Sequence, residues 1–394
     1  MKGWILFNGN IRTDVDFVYR HADRMLLGQH ADATVRQWRK VLLVTAAWEA
    51  REYAEGHVKE ALFRIGIPSR VEGGCEQNIQ NLSVYHDFVR FMQMEPEIQR
   101  AHSERQTLIR KTKEFYRRKN GSFLGLLRDQ TSYVKELYPG MTLARILAHD
   151  VSPHRGRLQR LDDRELLLHY CAGDVQDTLR KIVENDDAMV RICHEIEAYF
   201  RDRSRVDENP HFIEMRDALR QRLFAANSIM VFGGNLSALL SCLQFFRLHD
   251  MFQEALWRGT SYYSVSAGSM VLAEKIIIYD DFWGDGQVRP RKEFEFFDNG
   301  LNLVTQMTLF PHCMDRIQTD DPDNLAYLAH RFSRGPCIGL NEESFLLVEP
   351  FYDAQAGITR DRFLSVGEQD GVYVFDRSGS KACRRRGEEV ISGC

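Results

Sequence analysis

No CxxC pair, no Cys/His cluster at zinc-ligand spacing and no HExxH segment occurs in the 394 residues. The eight cysteines, at 75, 171, 193, 242, 313, 337, 383 and 394, are scattered, which argues against a disulfide framework or structural zinc and for a reducing, cytoplasmic setting. No metal and no other cofactor is implied. No apolar run approaches the roughly 18 residues that cross a bilayer, and Asn8 and Asn10 interrupt the N-terminus too early for a signal-peptide core. Internal repeats and low-complexity tracts are missing as well. Excess charge of either sign is small, with a net of -4, so the chain as a whole is not a polyanion binder, although local basic patches remain open. What is present is 44% hydrophobic and 27% charged residues, the composition of a globular protein large enough to bury a substantial core and hold more than one structural unit.

The first 75 residues alternate short apolar runs with helical patterns, the mark of an α/β sheet. Trp4 to Phe7, Lys40 to Thr45 and Pro68 to Glu72 read as strands, and Val58, Ala61, Leu62 and Ile65 recur at helical spacing between the last two. Over residues 76–210 strand-like runs nearly vanish. Asn78 to Arg118, Phe123 to Leu137, Thr142 to His149, Asp163 to Glu184 and Asp187 to Asp202 read as helices, broken at Asn120-Gly121, Pro139-Gly140, Ser152-Pro153 and Asn209-Pro210. This predicts an all-helical insertion dividing an α/β core formed by residues 1–75 and 211–394, its sheet mostly parallel and flanked by helices. After a helix over Ile213 to Phe224, strands are expected at Ser228 to Phe232, Ser261 to Val265, Ile276 to Tyr279, Leu301 to Val304, Ile338 to Leu340, Phe345 to Val348 and Val372 to Phe375. The tail from Arg377 to Cys394 reads as a polar terminus or short helix.

Chemistry concentrates where the strand Ser261 to Val265 meets Ser266-Ala267-Gly268-Ser269 and an apolar helical stretch. A sharp strand-to-helix turn with small neighbours lifts a serine hydroxyl off the sheet and aims the following backbone N–H groups at a reacting carbonyl. A serine needs a base within reach and a third group to orient that base. His312, beside Pro311 after a strand-like stretch, is the candidate base, and Glu342, in a turn between two strands, is a candidate acid. All three fall at strand ends, where an open α/β sheet places its catalytic groups. The Ala267 N–H is the natural first oxyanion donor, and Gly233-Gly234-Asn235 at another strand-to-helix junction can supply the second through Gly234 or Asn235.

Phe232-Gly233-Gly234-Asn235, Ser264-Val265-Ser266-Ala267-Gly268, Pro311-His312 with Arg316, and Gly339-Leu340-Asn341-Glu342 together resemble, in order, the motifs of the dipeptidase E and cyanophycinase family of serine peptidases. The resemblance implies a class I glutamine amidotransferase-like fold with serine replacing the cysteine nucleophile. It also implies Ser266 as nucleophile, His312 as general base, Glu342 as acid, and Asp281 near a second acidic position found in the dipeptidase branch. Its members cleave peptide or isopeptide bonds next to aspartyl residues without a metal. Two positions depart from the pattern: Ser264 stands where the elbow usually begins with glycine, and Phe310 where an acidic or polar residue is common.

Arg316 is suited to binding a substrate carboxylate through its planar fork, or equally to capping the nearby helix. The segment Arg105 to Lys119 carries seven cationic residues around Phe115 and Tyr116. Such a stretch can bind phosphates and stack a base, but the favoured reading is the wet face of an amphipathic helix, so nucleic acid is not the expected partner, and neither is a membrane. The expected partner is a small peptide or peptide-like substrate, with the insertion serving as an active-site cover or a homo-oligomer contact. An α/β-hydrolase esterase is the nearest enzymatic rival, yet its acid precedes its histidine, whereas Glu342 follows His312. A glutamine amidotransferase lacks its cysteine here. From another class altogether, the insertion could bind a partner with the α/β core as a mere scaffold.

Overall fold

The computed structural model describes residues 2–10, 21, 30–70, 77–152, 161–279, 294–333, 335–354 and 357–391. Its main sheet has seven strands in the order β11-β10-β1-β5-β4-β2-β3. These are β1 (Ile5–Asn8), β2 (Val41–Val44), β3 (Ile79–Asn81), β4 (Ser228–Val231), β5 (Ser261–Val265), β10 (Phe345–Asp353) and β11 (Ile358–Ser365). The run from β1 to β3 is parallel throughout, and β10 and β11 add an antiparallel margin. The central strands are apolar along nearly their whole length because both faces are covered. Leu42, Val44, Ile229, Val231 and Tyr262 pack into one core and Leu43, Met230 and Tyr263 into another. The expected mostly parallel sheet flanked by helices is what the chain forms.

A second sheet runs β13-β12-β9-β8, from β8 (Thr308–Pro311), β9 (Cys337–Leu340), β12 (Val372–Phe375) and β13 (Lys381–Arg384). A ribbon of β6 (Lys275–Tyr279) and β7 (Phe294–Asn299) stands apart from both. The helices in chain order are α1 (Ala33–Trp38), α2 (Gly56–Arg64), α3 (Val84–Met94), α4 (Pro96–Leu137), α5 (Leu143–Leu147), α6 (Asp163–Ser204), α7 (Pro210–Phe224), α8 (Leu236–Phe245), α9 (His249–Trp257), α10 (Ala267–Leu272), α11 (Cys313–Arg316) and α12 (Pro322–Phe332).

Between β3 and α7 the chain is helical, and two helices dominate. At 42 residues each, α4 and α6 are about 63 Å long at 1.5 Å per residue. They lie antiparallel, as the pairs Arg105 with Glu197, Asn120 with Asp186 and Gln130 with Thr178 require. A capping box of Asp162 and Glu165 starts α6, each side chain accepting from the other residue's backbone N–H. Neither the Asn120-Gly121 break nor the gap between Glu184 and Asp187 exists. Asn120 is buried, donating to Asp186 Oδ1 at 2.7 Å and accepting from Asn185 Nδ2 at 3.0 Å, and these tertiary bonds offset the ~1 kcal/mol helix penalty of Gly121.

Three other expectations change. The third strand of the main sheet is Ile79–Asn81, while of the expected Pro68 to Glu72 the described part makes one isolated bridge, from Arg70 to Gln77. Val71 and Glu72 lie outside the described residues. Leu301 to Val304 is no strand; only Val304 bridges Ala273, and Leu301 and Leu303 serve as packing residues instead. The tail contributes β13, whose alternating partners on β12 give it a ladder that its polar composition concealed. No helix among the described residues is long and apolar enough to cross a membrane.

Candidate active site

The elbow forms as its small residues require. Ser266 has φ 50° and ψ -115°, a conformation that costs a side-chain-bearing residue ~1–3 kcal/mol and persists only where its surroundings fix it. Those surroundings are specific. The Ser266 N–H donates to the Asn8 carbonyl at 3.0 Å and the Met270 N–H to the Ser266 carbonyl at 3.1 Å. Ser269 Oγ also donates to the Asn8 carbonyl, at 2.9 Å. Gly268 has no alternative, since a Cβ there would sit 2.1 Å from the Val231 carbonyl oxygen. Ser264 is accommodated in the elbow because its buried hydroxyl donates to the Leu6 carbonyl at 3.2 Å and lies 3.1 Å from Ser269 Oγ.

His312 follows β8 in a left-handed conformation, φ 56° and ψ 37°, which turns its ring away from the strand direction. Its Nε2 lies 3.0 Å from Ser266 Oγ, within hydrogen-bond reach. Burial, joined by the Arg316 charge and opposed by Asp315, pushes the His312 imidazole down to about 4. The ring is therefore neutral near pH 7 and can accept the serine proton.

Two sheets, not one rim, bring this pair together. Ser266 ends β5 in the main sheet, whereas His312 ends β8 and Glu342 follows β9 in the four-stranded sheet. The chain passes from the small sheet to the main one through Asn341–Ser344, and Asn8 ties the crossing down: its Nδ2 donates to the Glu342 carbonyl at 2.8 Å and the Ser344 carbonyl at 3.0 Å. The Glu342 side chain makes no hydrogen bond to His312, whose ring is bonded only to Ser266 among the described residues. Asp281, the alternative acid, lies outside the described residues.

The Gly233-Gly234-Asn235 turn stands beside the elbow. Asn235 is spoken for, since its backbone N–H donates to the Ala47 carbonyl at 2.9 Å, its Oδ1 accepts from the Ala238 N–H at 3.1 Å and its Nδ2 donates to Glu49 Oε1 at 2.7 Å. This removes Asn235 as a backbone donor to substrate. Gly234, at φ 138°, is pressed so closely on the same segment that a Cβ would meet the Ala47 carbonyl oxygen at 2.7 Å. Trp48 Nε1 donates to the Gly233 carbonyl at 3.0 Å and fixes that peptide's orientation.

Arg316 closes α11 and, with Met314, Asp315 and Gln318, lines a cleft of about 530 Å³. Its backbone N–H donates to the His312 carbonyl at 3.1 Å. Sequence reasoning missed Asn8 and the Ala47-Trp48-Glu49 segment. Their only signal was an asparagine ending an apolar strand in the first case and an alanine-rich strand end in the second. Among the described residues no group of histidine, cysteine and carboxylate side chains could hold a metal.

Residues 192–350, which carry both Ser266 and His312, match the sequence model of the family described as peptidase family S51. The match spans less than half of the chain. The S51 segment thus contains the elbow, the glycine turn, the histidine and the Asn341-Glu342 crossing, while β1 to β3 and the tail that forms β12 and β13 lie outside it. No curated protein matches the chain. A solved peptidase from an acI-B1 Actinobacterium is 12% identical, with a TM-score of 0.45 over 99% of this chain and 97% of that one.

Proposed function

We propose that the protein is a serine-type peptidase that opens an amide bond, peptide or isopeptide, through an acyl-enzyme. The observation that carries this reading is the 3.0 Å approach of His312 Nε2 to the hydroxyl of a serine held in a strained elbow. Ser266 Oγ attacks the carbonyl carbon as His312 takes its proton, and the oxygen's developing charge faces the Gly234 and Ala267 N–H groups. His312 then gives the proton to the leaving amine, and water repeats the sequence on the ester. Glu342 or Asp281 is the orienting acid in this scheme, and Arg316 receives a substrate carboxylate. A peptide whose scissile bond adjoins an aspartyl residue is the substrate class to try first, and the long helices are the proposed cover or self-association surface.

The test is labelling with a fluorophosphonate, followed by hydrolysis of N-terminal aspartyl, other dipeptide and β-linked substrates. Modification mapped to Ser266 is expected; a protein that stays unmodified while folded sinks the proposal. Gly234→Ala should lower kcat by about 10²–10³, read beside its thermal midpoint, because a Cβ forced against the Ala47 carbonyl displaces an oxyanion donor. Normal kinetics in that variant remove Gly234 from the scheme.

The pH profile follows from the depressed imidazole. A base must be neutral, and a histidine lowered to about 4 stays neutral far below the ordinary 6.5. The acid limb of kcat/KM should therefore fall near pH 4, about tenfold per unit below it. An acid limb at 6.5 would show that the imidazole is not depressed in the free enzyme.

A further inference from the structure

The registers of the small sheet place three residues side by side. In the parallel pair β8 and β9, Pro311 is opposite Leu340, so the next residues, His312 and Asn341, leave their strands together. In the antiparallel pair β9 and β12, Gly339 is opposite Tyr373, which brings Asp370, just before β12, to the same end. Asn341 Oδ1 accepts from the Met314 N–H at 2.9 Å and from the Cys313 thiol at 3.2 Å, the two residues that follow the histidine. Its Nδ2 donates to Asp370 Oδ2 at 2.9 Å. Both ends of the amide are thereby assigned, because a backbone N–H can only donate and a carboxylate can only accept. Asp370 is held in turn, its Oδ1 accepting from the Gly371 N–H at 2.8 Å.

We infer that Asn341 and Asp370 are positioning residues for the histidine: the Asp370 carboxylate fixes the Asn341 amide, and that amide pins the first turn after His312 so that its ring meets Ser266. The bond is placed where it matters. His312 occupies a left-handed conformation that few non-glycine residues adopt, and the Cys313 and Met314 contacts lie immediately beyond it. Burial pushes the Cys313 thiol up to about 12, with the Asp370 charge adding to the shift, so the thiol keeps the proton that it donates. Asp370 lies outside the S51 segment, so this support comes from a part of the chain that the family match does not include.

The inference rests on the Ser266–His312 reading above, and the experiment separates the two. The rate of fluorophosphonate labelling of Ser266 is measured from pH 4 to 9 in the wild type, Asn341→Ala, Asn341→Asp and the exchange variant Asn341→Asp/Asp370→Asn, each with a thermal midpoint. Both single variants should label about 10²-fold more slowly, the size of effect expected from a misplacement near 1 Å. In Asn341→Asp two carboxylates face each other, whereas the exchange variant restores an acceptor for Met314 and Cys313 and a donor between positions 341 and 370. The exchange variant should therefore recover most of the rate and the wild-type pH profile. Folded Asn341→Ala with an unchanged rate and pH profile, whatever its midpoint, overturns the inference. If that variant does not fold, an exchange variant that folds yet labels as slowly as Asn341→Asp overturns it instead. A wild type that does not label at all refutes the serine reading on which both depend.

Discussion

Ser266→Ala is expected to lose ~10⁴–10⁶ in kcat while its thermal midpoint stays close to that of the wild type. The two halves of this result have separate origins. The hydroxyl is bonded to His312 Nε2 at 3.0 Å, whereas the elbow's shape depends on the backbone of residue 266 and on Ser269, neither of which the substitution touches. Alanine keeps the Cβ and must adopt the same φ of 50°, so the strain is equal in both proteins. Removing one half-buried hydrogen bond changes stability by about 0.5–1.5 kcal/mol at most. His312→Ala should cost a similar factor, and the double variant little more than either alone, since a nucleophile without its base and a base without its nucleophile are equally idle. Losses that multiply in the double variant would mean that the two residues act in separate steps. Steady-state hydrolysis of the peptide panel, with thermal scans alongside, measures both.

The parts of the fold that were legible in the sequence were those governed by local patterns. Val41–Val44 and Ser228–Val231 are buried on both faces and read as unbroken apolar runs, and the elbow is announced by residues that can tolerate no larger neighbour. Distant pairing left no such trace. The strand β11 carries Thr359, Arg360, Asp361 and Arg362, and becomes a strand because β10 supplies its ladder. The same holds for β13 on β12. Asn120-Gly121 has the composition of a helix stop, and only the buried partners Asp186 and Asn185 overrule it. Within the site, Ser266 and His312 were recognisable as residue types at strand ends. That they belong to different sheets was not, since nothing local distinguishes a strand of one sheet from a strand of another. The assignment of Asn235 as a donor failed for a related reason: its amide is taken by the Ala47 carbonyl, nearly 190 residues earlier in the chain.

Arg331→Met is expected to destabilise the protein by about 3–5 kcal/mol, the effect of breaking a buried ion pair from one side. Arg331 is 5% exposed and Asp186 is 5% exposed, and they meet through two bonds, Nε to Oδ2 at 2.7 Å and Nη2 to Oδ1 at 2.9 Å. Nη1 donates to the Phe294 carbonyl and to Tyr327 Oη, each at 2.8 Å. One guanidinium thus joins α6, α12 and β7, and its planar fork satisfies partners that a methionine cannot. Without it the Asp186 carboxylate keeps its bond from Asn120, and the Phe294 carbonyl loses a donor. Replacing both charges, as Asp186→Leu/Arg331→Met, removes the uncompensated carboxylate and should recover part of the loss, because the pair itself is worth little against apolar packing. Full recovery is not expected while Asn120 and the Phe294 carbonyl stay buried. Urea unfolding of the three proteins decides: a single variant that loses less than about 1 kcal/mol would place the pair in contact with water, and a double variant less stable than Arg331→Met would mean that the lone buried carboxylate was never the dominant penalty.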